Sequence, residues 1–155
     1  SRGAKLVLDT TKDSLLACLP YQPFIIKPNQ YELEELFGVT IETQEEMIIY
    51  AFKLQEKGAR NVLISCGGEG AFLVSETGKV LTSNTPKGTL INSVGAGDSM
   101  LAGFMAKYIE TNDFKESLIQ GAASGSATAF SVGIATRELI EVLMPQIKIK
   151  EISRN

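Results

Sequence analysis

Histidine is absent from this 155-residue chain. Without imidazole, Ser-His-Asp and Cys-His nucleophilic centres and histidine-ligated metals are excluded, so acid–base chemistry falls to carboxylates or lysine. Cysteine is scarce: Cys18 and Cys66 make neither a disulfide framework nor a metal-ligand cluster. Both lie in apolar stretches and read as core thiols, which fits a reducing, cytoplasmic setting. No apolar run is long and charge-free enough to span a bilayer, so no membrane partner is expected. Positive charge is not in excess either. Fifteen Lys and Arg against eighteen Asp and Glu give a formal net charge of -3, which argues against nucleic acid or an anionic membrane as partner. Neither G-x-x-x-x-G-K-[ST] nor G-x-G-x-x-G occurs, so a Walker-type NTPase and a simple dinucleotide-binding dehydrogenase both lose support. No repeat or low-complexity linker divides the chain, and residues 1–155 read as one continuous unit.

What remains is a globular composition, 44% hydrophobic and 21% charged, in a length that can bury a proper core. Strands and helices alternate in the pattern. Buried strands are expected over Lys5–Asp9, Phe24–Ile26 and Asn61–Ser65, and a hairpin over Ala71–Ser75 and Lys79–Thr82. Helices are expected over Lys12–Leu19, from Asn29 to Gly38, from Thr43 to Gly58, and over Asp98–Glu110, Phe114–Ser131 and Thr136–Leu143. Such alternation implies an α/β fold with a largely parallel sheet covered on both faces, whose ligands gather at the carboxyl ends of the strands. The opening Ser1-Arg-Gly-Ala-Lys5 reads as a helix tail entering a strand, as though another α/β unit came before it.

Three strand ends carry unusual residues. The most specific is Asn92-Ser-Val-Gly-Ala-Gly-Asp-Ser-Met-Leu-Ala-Gly-Phe-Met105, in which two glycines and an alanine lead into Asp98 at the start of a helix. Unpaired amides at such a start attract an anion, and glycine lets a phosphate approach the main chain. An acid in that field repels a phosphate, unless it accepts a proton from the hydroxyl that attacks the phosphoryl group held there. The plain alternative is Asp98 as an ordinary N-cap. Asn29-Gln-Tyr-Glu32 reads equally well as a capping box or as a lone carboxylate serving Mg²⁺, an ion often held by one acid, phosphates and water. Lys27, at the preceding strand end, is either a phosphate contact or a solvated lysine. Ser65-Cys-Gly-Gly-Glu-Gly70 is a turn before the hairpin unless a ligand uses it. Gly121–Ala127 reads as close helix packing.

The string Asn92–Met105, including the small pair Ala102-Gly103 one turn into its helix, resembles the second signature of the ribokinase-like (PfkB) carbohydrate kinases. The resemblance implies a ribokinase-like three-layer α/β/α sandwich. It makes residues 1–155 the C-terminal, nucleotide-binding and catalytic portion of the kinase domain, without the N-terminal sugar-binding half and its small lid. Asp98 is then the implied base and the amides of Gly95, Ala96 and Gly97 the implied anion hole. Asn29–Glu32 matches the family's Asn-x-x-Glu motif, which implies Glu32 as the Mg²⁺ residue, acting through water, with Lys27 and Asn29 beside the nucleotide. Ser65, Gly67, Gly68 and Gly70 are similar in position to the family's glycine-bearing loop along the ATP phosphates and ribose.

The stretches Phe24–Gly38 and Pro86–Asp98 look most like family members that act on fructose 1-phosphate. The implied reaction is ATP-dependent phosphorylation of a ketose phosphate to fructose 1,6-bisphosphate, with tagatose 6-phosphate as the alternative substrate. The implied cofactors are ATP and Mg²⁺, the implied partners ATP and a sugar phosphate, with a homodimer open for the full-length protein. The isolated chain is expected to be inactive. Two readings compete: a non-catalytic nucleotide- or anion-binding fragment, and an α/β scaffold without a ligand.

Overall fold

A computed structural model describes residues 7–8, 12–66, 69–92, 95–132 and 135–152. They fall into two units. The first takes the chain to Cys66 together with Leu73–Val80, and the second takes Gly67–Phe72 and Leu81–Ile152.

The first unit holds three parallel strands: β1 (Val7–Leu8), β2 (Ile25–Ile26) and β3 (Asn61–Ser65). Val7 pairs with Ile25 and Leu8 with Ile26, and Ile25 and Ile26 pair in turn with Asn61 and Val62. Parallel neighbours need crossovers. Here α1 (Lys12–Cys18) connects β1 to β2, and α2 (Gln30–Phe37) and α3 (Gln44–Glu56) connect β2 to β3. Val62, Leu63 and Ile64 are all fully buried, as expected of a strand covered on both faces. Two helix ends fall where the sequence put them: Gly38 takes a left-handed φ of 65° at the end of α2, and the Thr43 side chain accepts from the Glu46 N–H at the start of α3. The Phe37 and Tyr50 rings meet at 4.8 Å between α2 and α3.

Asn61 is a buried polar residue within this apolar unit. Its amide donates to the Phe24 carbonyl at 2.8 Å and its Oδ1 accepts from the Glu76 N–H at 2.8 Å. One side chain thus ties the starts of β2 and β3 to the turn of the hairpin β4 (Ala71–Val74) and β5 (Val80–Ser83). The turn itself closes through Ser75 N–H to Lys79 O at 2.9 Å.

The second unit contains the open end of that hairpin, followed in the sheet by β6 (Ile149–Ile152). It also contains α4 (Ala96–Thr111), α5 (Phe114–Ala129) and α6 (Arg137–Leu143). The helices α4 and α5 run antiparallel in very close contact. A Cβ on Gly121 would stand 2.8 Å from the Met100 carbonyl, and one on Gly125 3.1 Å from that of Ala96. The reading of Gly121–Ala127 as close packing therefore holds. Ala122, Ala123 and Ala127 form a core with Leu143 and Ile147.

Three points of the sequence reading need correction, and a fourth lies partly outside the described residues. β6 was not foreseen. It is an edge strand held from afar, by the Asn84 amide on the Gln146 carbonyl and by the Lys148 N–H on Asn84 Oδ1. The fourth helix starts at Ala96 rather than Asp98, because Gly95 can adopt the left-handed conformation that launches it. Cys18 and Cys66 are half-buried, not core thiols. In the expected strand Lys5–Asp9, only Val7–Leu8 falls within the described residues.

Candidate functional site

In the first unit the chemistry gathers at the carboxyl ends of β2 and β3. Just past β2, Asn29 pairs with Ser65 as an isolated parallel bridge, so the start of α2 is pinned to the end of β3. The Asn29–Glu32 box is complete. Glu32 N–H donates to Asn29 Oδ1 at 2.8 Å, and Asn29 N–H donates to Glu32 Oε1 at 3.1 Å. The capping reading is therefore correct, and it leaves room for the other. Only Oε1 of the half-buried Glu32 is engaged, and Oε2 has no hydrogen bond among the described residues. Among those residues no three His, Cys, Asp or Glu side chains are grouped to hold a metal. Glu32 could thus offer a bound Mg²⁺ one unengaged carboxylate oxygen, which suits an ion keeping most of its water and phosphate ligands.

Lys27 is only 6% exposed and is engaged within the fold, so the solvated-lysine alternative is overturned. Ser65 is half-buried. The expected contacts Gly67 and Gly68 lie outside the described residues.

In the second unit, Gly70 has φ of 99°, and a Cβ there would overlap the Ser83 carbonyl. The hairpin itself therefore demands glycine at that position. Further along, Gly95 (φ 82°) is the N-cap of α4 and supplies no side chain to cap it. By contrast, side chains of Asn29, Thr43, Asp113 and Thr136 cap α2, α3, α5 and α6. The amides of the first turn, at Ala96, Gly97 and Asp98, have no intrahelical partner, and they coincide with the positive end of a sixteen-residue helix. Asp98 is exposed at the third helical position. The N-cap alternative for Asp98 therefore fails, since the cap lies three residues earlier. What stands there is an uncapped helix start beside a carboxylate available to solvent, an arrangement able to hold an anion and accept a proton.

One functional candidate escaped the sequence reading. Thr128, near the end of α5, donates from Oγ1 to Ser99 Oγ at 2.7 Å. Its spacing from Gly121 and Gly125 places all three on one helix face, and that periodicity was the available signal.

Comparison with known proteins gives the following. The model of the pfkB family carbohydrate kinases matches residues 3–139. A 1-phosphofructokinase of Bacillus subtilis is 43% identical over 148 residues, 96% of this chain and 48% of that protein. A D-tagatose-1-phosphate kinase of Bacillus licheniformis is 39% identical over 94% of this chain and 48% of its own length. The chain thus spans about half the length of the curated relatives it matches. Among solved structures, Arabidopsis thaliana ribokinase complexed with ribose and ATP superposes with a TM-score of 0.77 at 25% identity, over 92% of this chain and 48% of that one.

Proposed function

Because the chain belongs to the pfkB family of carbohydrate kinases and has their ribokinase-like α/β fold, we propose that it carries the nucleotide-binding and catalytic half of a sugar-phosphate kinase. The proposed reaction moves the terminal phosphoryl group of ATP to fructose 1-phosphate, giving fructose 1,6-bisphosphate and ADP. The observation that carries the proposal is the uncapped start of α4 at Gly95 with Asp98 exposed in its first turn.

In this reading Asp98 accepts the proton of the attacking hydroxyl. A carboxylate is a far weaker base than an alkoxide, so the proton leaves during or after attack rather than before it. The amides of Gly95, Ala96, Gly97 and Asp98 take up the negative charge that builds on the transferring group. Lys27, Asn29, Ser65, Gly67, Gly68 and Gly70 are assigned to the nucleotide. Glu32 is assigned to Mg²⁺ through water, with Asn29 fixing the rotamer of its carboxylate through the 3.1 Å bond. When bound, Mg²⁺ neutralises phosphate charge.

In this proposal the sugar-reading groups belong to the part of the relatives that this chain does not match, and the chain alone binds nucleotide without turning a sugar over. A cytoplasmic setting belongs to the same proposal, and no helix among the described residues is long and apolar enough to cross a membrane. A second reading, a tagatose-phosphate kinase, is favoured by the 39% identity to the B. licheniformis protein, close to the 43% of the first relative.

The test joins this chain to the remaining half of the B. subtilis relative and couples ADP formation to a panel of sugars. Turnover of fructose 1-phosphate well above that of tagatose 1-phosphate, tagatose 6-phosphate and ribose supports the first reading. Preference for a tagatose phosphate supports the second, and ATP binding without turnover of any sugar would leave a nucleotide-binding fragment.

A further inference from the structure

Four contacts converge on the end of α5. Thr128 Oγ1 donates to Ser99 Oγ at 2.7 Å, in the half-buried space behind the residue that follows Asp98. The neighbouring Ala129 carbonyl accepts two hydrogen bonds, from the N–H of Ile91 at 2.8 Å and of Asn92 at 3.1 Å. The Phe130 ring lies against Gly88 so closely that a Cβ at Gly88 would overlap it. Thr128 and Ala129 of α5 and its C-cap Phe130 therefore grip both limbs of the segment around Gly95, the limb that enters it and the helix that leaves it.

The packing beneath reinforces the grip. Gly121 and Gly125, on the same face as Thr128, admit the Met100 and Ala96 carbonyls to near contact, and a Cβ at Gly95 would meet the Thr128 methyl at 4.0 Å. Among these face residues Thr128 makes the directional bond. Backbone packing sets how far α4 stands from α5, whereas a hydroxyl pair sets how its first turn is rotated.

We infer that the last turn of α5 is the positioning element of the Gly95–Asp98 turn, and that the Thr128 hydroxyl is a determinant of that turn's affinity for polyphosphate. The second clause rests on the nucleotide reading above; the first does not. Thr128 is a positioning residue and touches no reacting atom in this scheme.

The test uses the full 155-residue chain as wild type, Thr128→Val, Thr128→Ser and Ser99→Ala. Amide hydrogen exchange is read at Ser99, whose N–H donates to Gly95 O at 2.9 Å, and at Asn112, whose N–H donates to Tyr108 O at the far end of α4. Calorimetry with magnesium tripolyphosphate and with adenosine gives the affinities. Loss of one modest hydrogen bond should speed exchange at Ser99, and weaken tripolyphosphate binding, about fivefold in Thr128→Val and in Ser99→Ala. Asn112 exchange and adenosine binding should stay unchanged, and Thr128→Ser should match wild type. Unchanged Ser99 exchange in Thr128→Val overturns the inference, as does an equal rise at Asn112 or a Thr128→Ser chain as impaired as the valine variant. Should Ser99 respond as expected while no chain binds tripolyphosphate, the positioning stands and the nucleotide reading falls.

Discussion

Glu32 allows its two roles to be pulled apart. Glu32→Gln keeps an oxygen that can accept from the Asn29 N–H, and the Glu32 backbone N–H still donates to Asn29 Oδ1, so both bonds of the box, 3.1 and 2.8 Å long, survive. What disappears is a negative charge in the first turn of α2, worth about 0.3–1 kcal/mol against the helix dipole at a part-exposed site. Glu32→Ala loses the charge and one hydrogen bond as well, for a total of about 1–2 kcal/mol. Chemical denaturation of the chain should therefore rank wild type, Gln and Ala in that order, with Gln nearer to wild type. Metal dependence should rank them differently. If Glu32 organises Mg²⁺ through water, Gln and Ala both lose the ion-orienting charge, and the Mg²⁺ concentration needed for half-maximal ATP binding should rise about 10-fold or more in both. Calorimetric ATP titrations across a Mg²⁺ series measure this directly. Superimposable Mg²⁺ dependence in wild type and Gln, with stability lost only in Ala, would refute the metal role and leave Glu32 as a cap.

Asp98→Asn, in the chain joined to the unmatched half of a relative, should lower kcat about 10²–10⁴-fold with little change in nucleotide affinity. Because Gly95 and not Asp98 is the cap of α4, its denaturation midpoint should barely move, and near-normal turnover would remove Asp98 from the chemistry. Asn61→Ala removes the side-chain amide from the Phe24 carbonyl, which keeps its bond from the backbone N–H of residue 61, and strands the Glu76 N–H; it should destabilise the chain by about 1–3 kcal/mol. A denaturation curve within about 0.5 kcal/mol of wild type would contradict that account.

Much of the scaffold was written locally. Asn29 and Gly38 bound α2, and Asn61–Ser65 is the third strand to the residue, because caps, glycine stops and a run of β-branched and apolar residues act over a few positions. What could not be read is what distant partners decide. β6 has alternating Lys and Ile with a Lys-Glu pair, a weak strand signal, and it exists through bonds from Thr82 and Asn84. Lysine and aspartate were legible at strand and helix ends, but their exposure was not. Lys27 is buried by the strands around it, and Asp98 is set free by a glycine three residues upstream. Thr128 shares a helix face with Gly121 and Gly125, but that spacing does not name its partner Ser99, 29 residues away.

The measurement that bears most directly on the central claim follows the phosphorus itself. With ATP, Mg²⁺ and fructose 1-phosphate added to the joined protein, ³¹P spectra should show ADP and a second sugar-phosphate signal growing together, one for one, and both should stall in Asp98→Asn. ADP and free phosphate appearing with no new sugar phosphate, or equal transfer by the Asn variant, would contradict a kinase built on the start of α4.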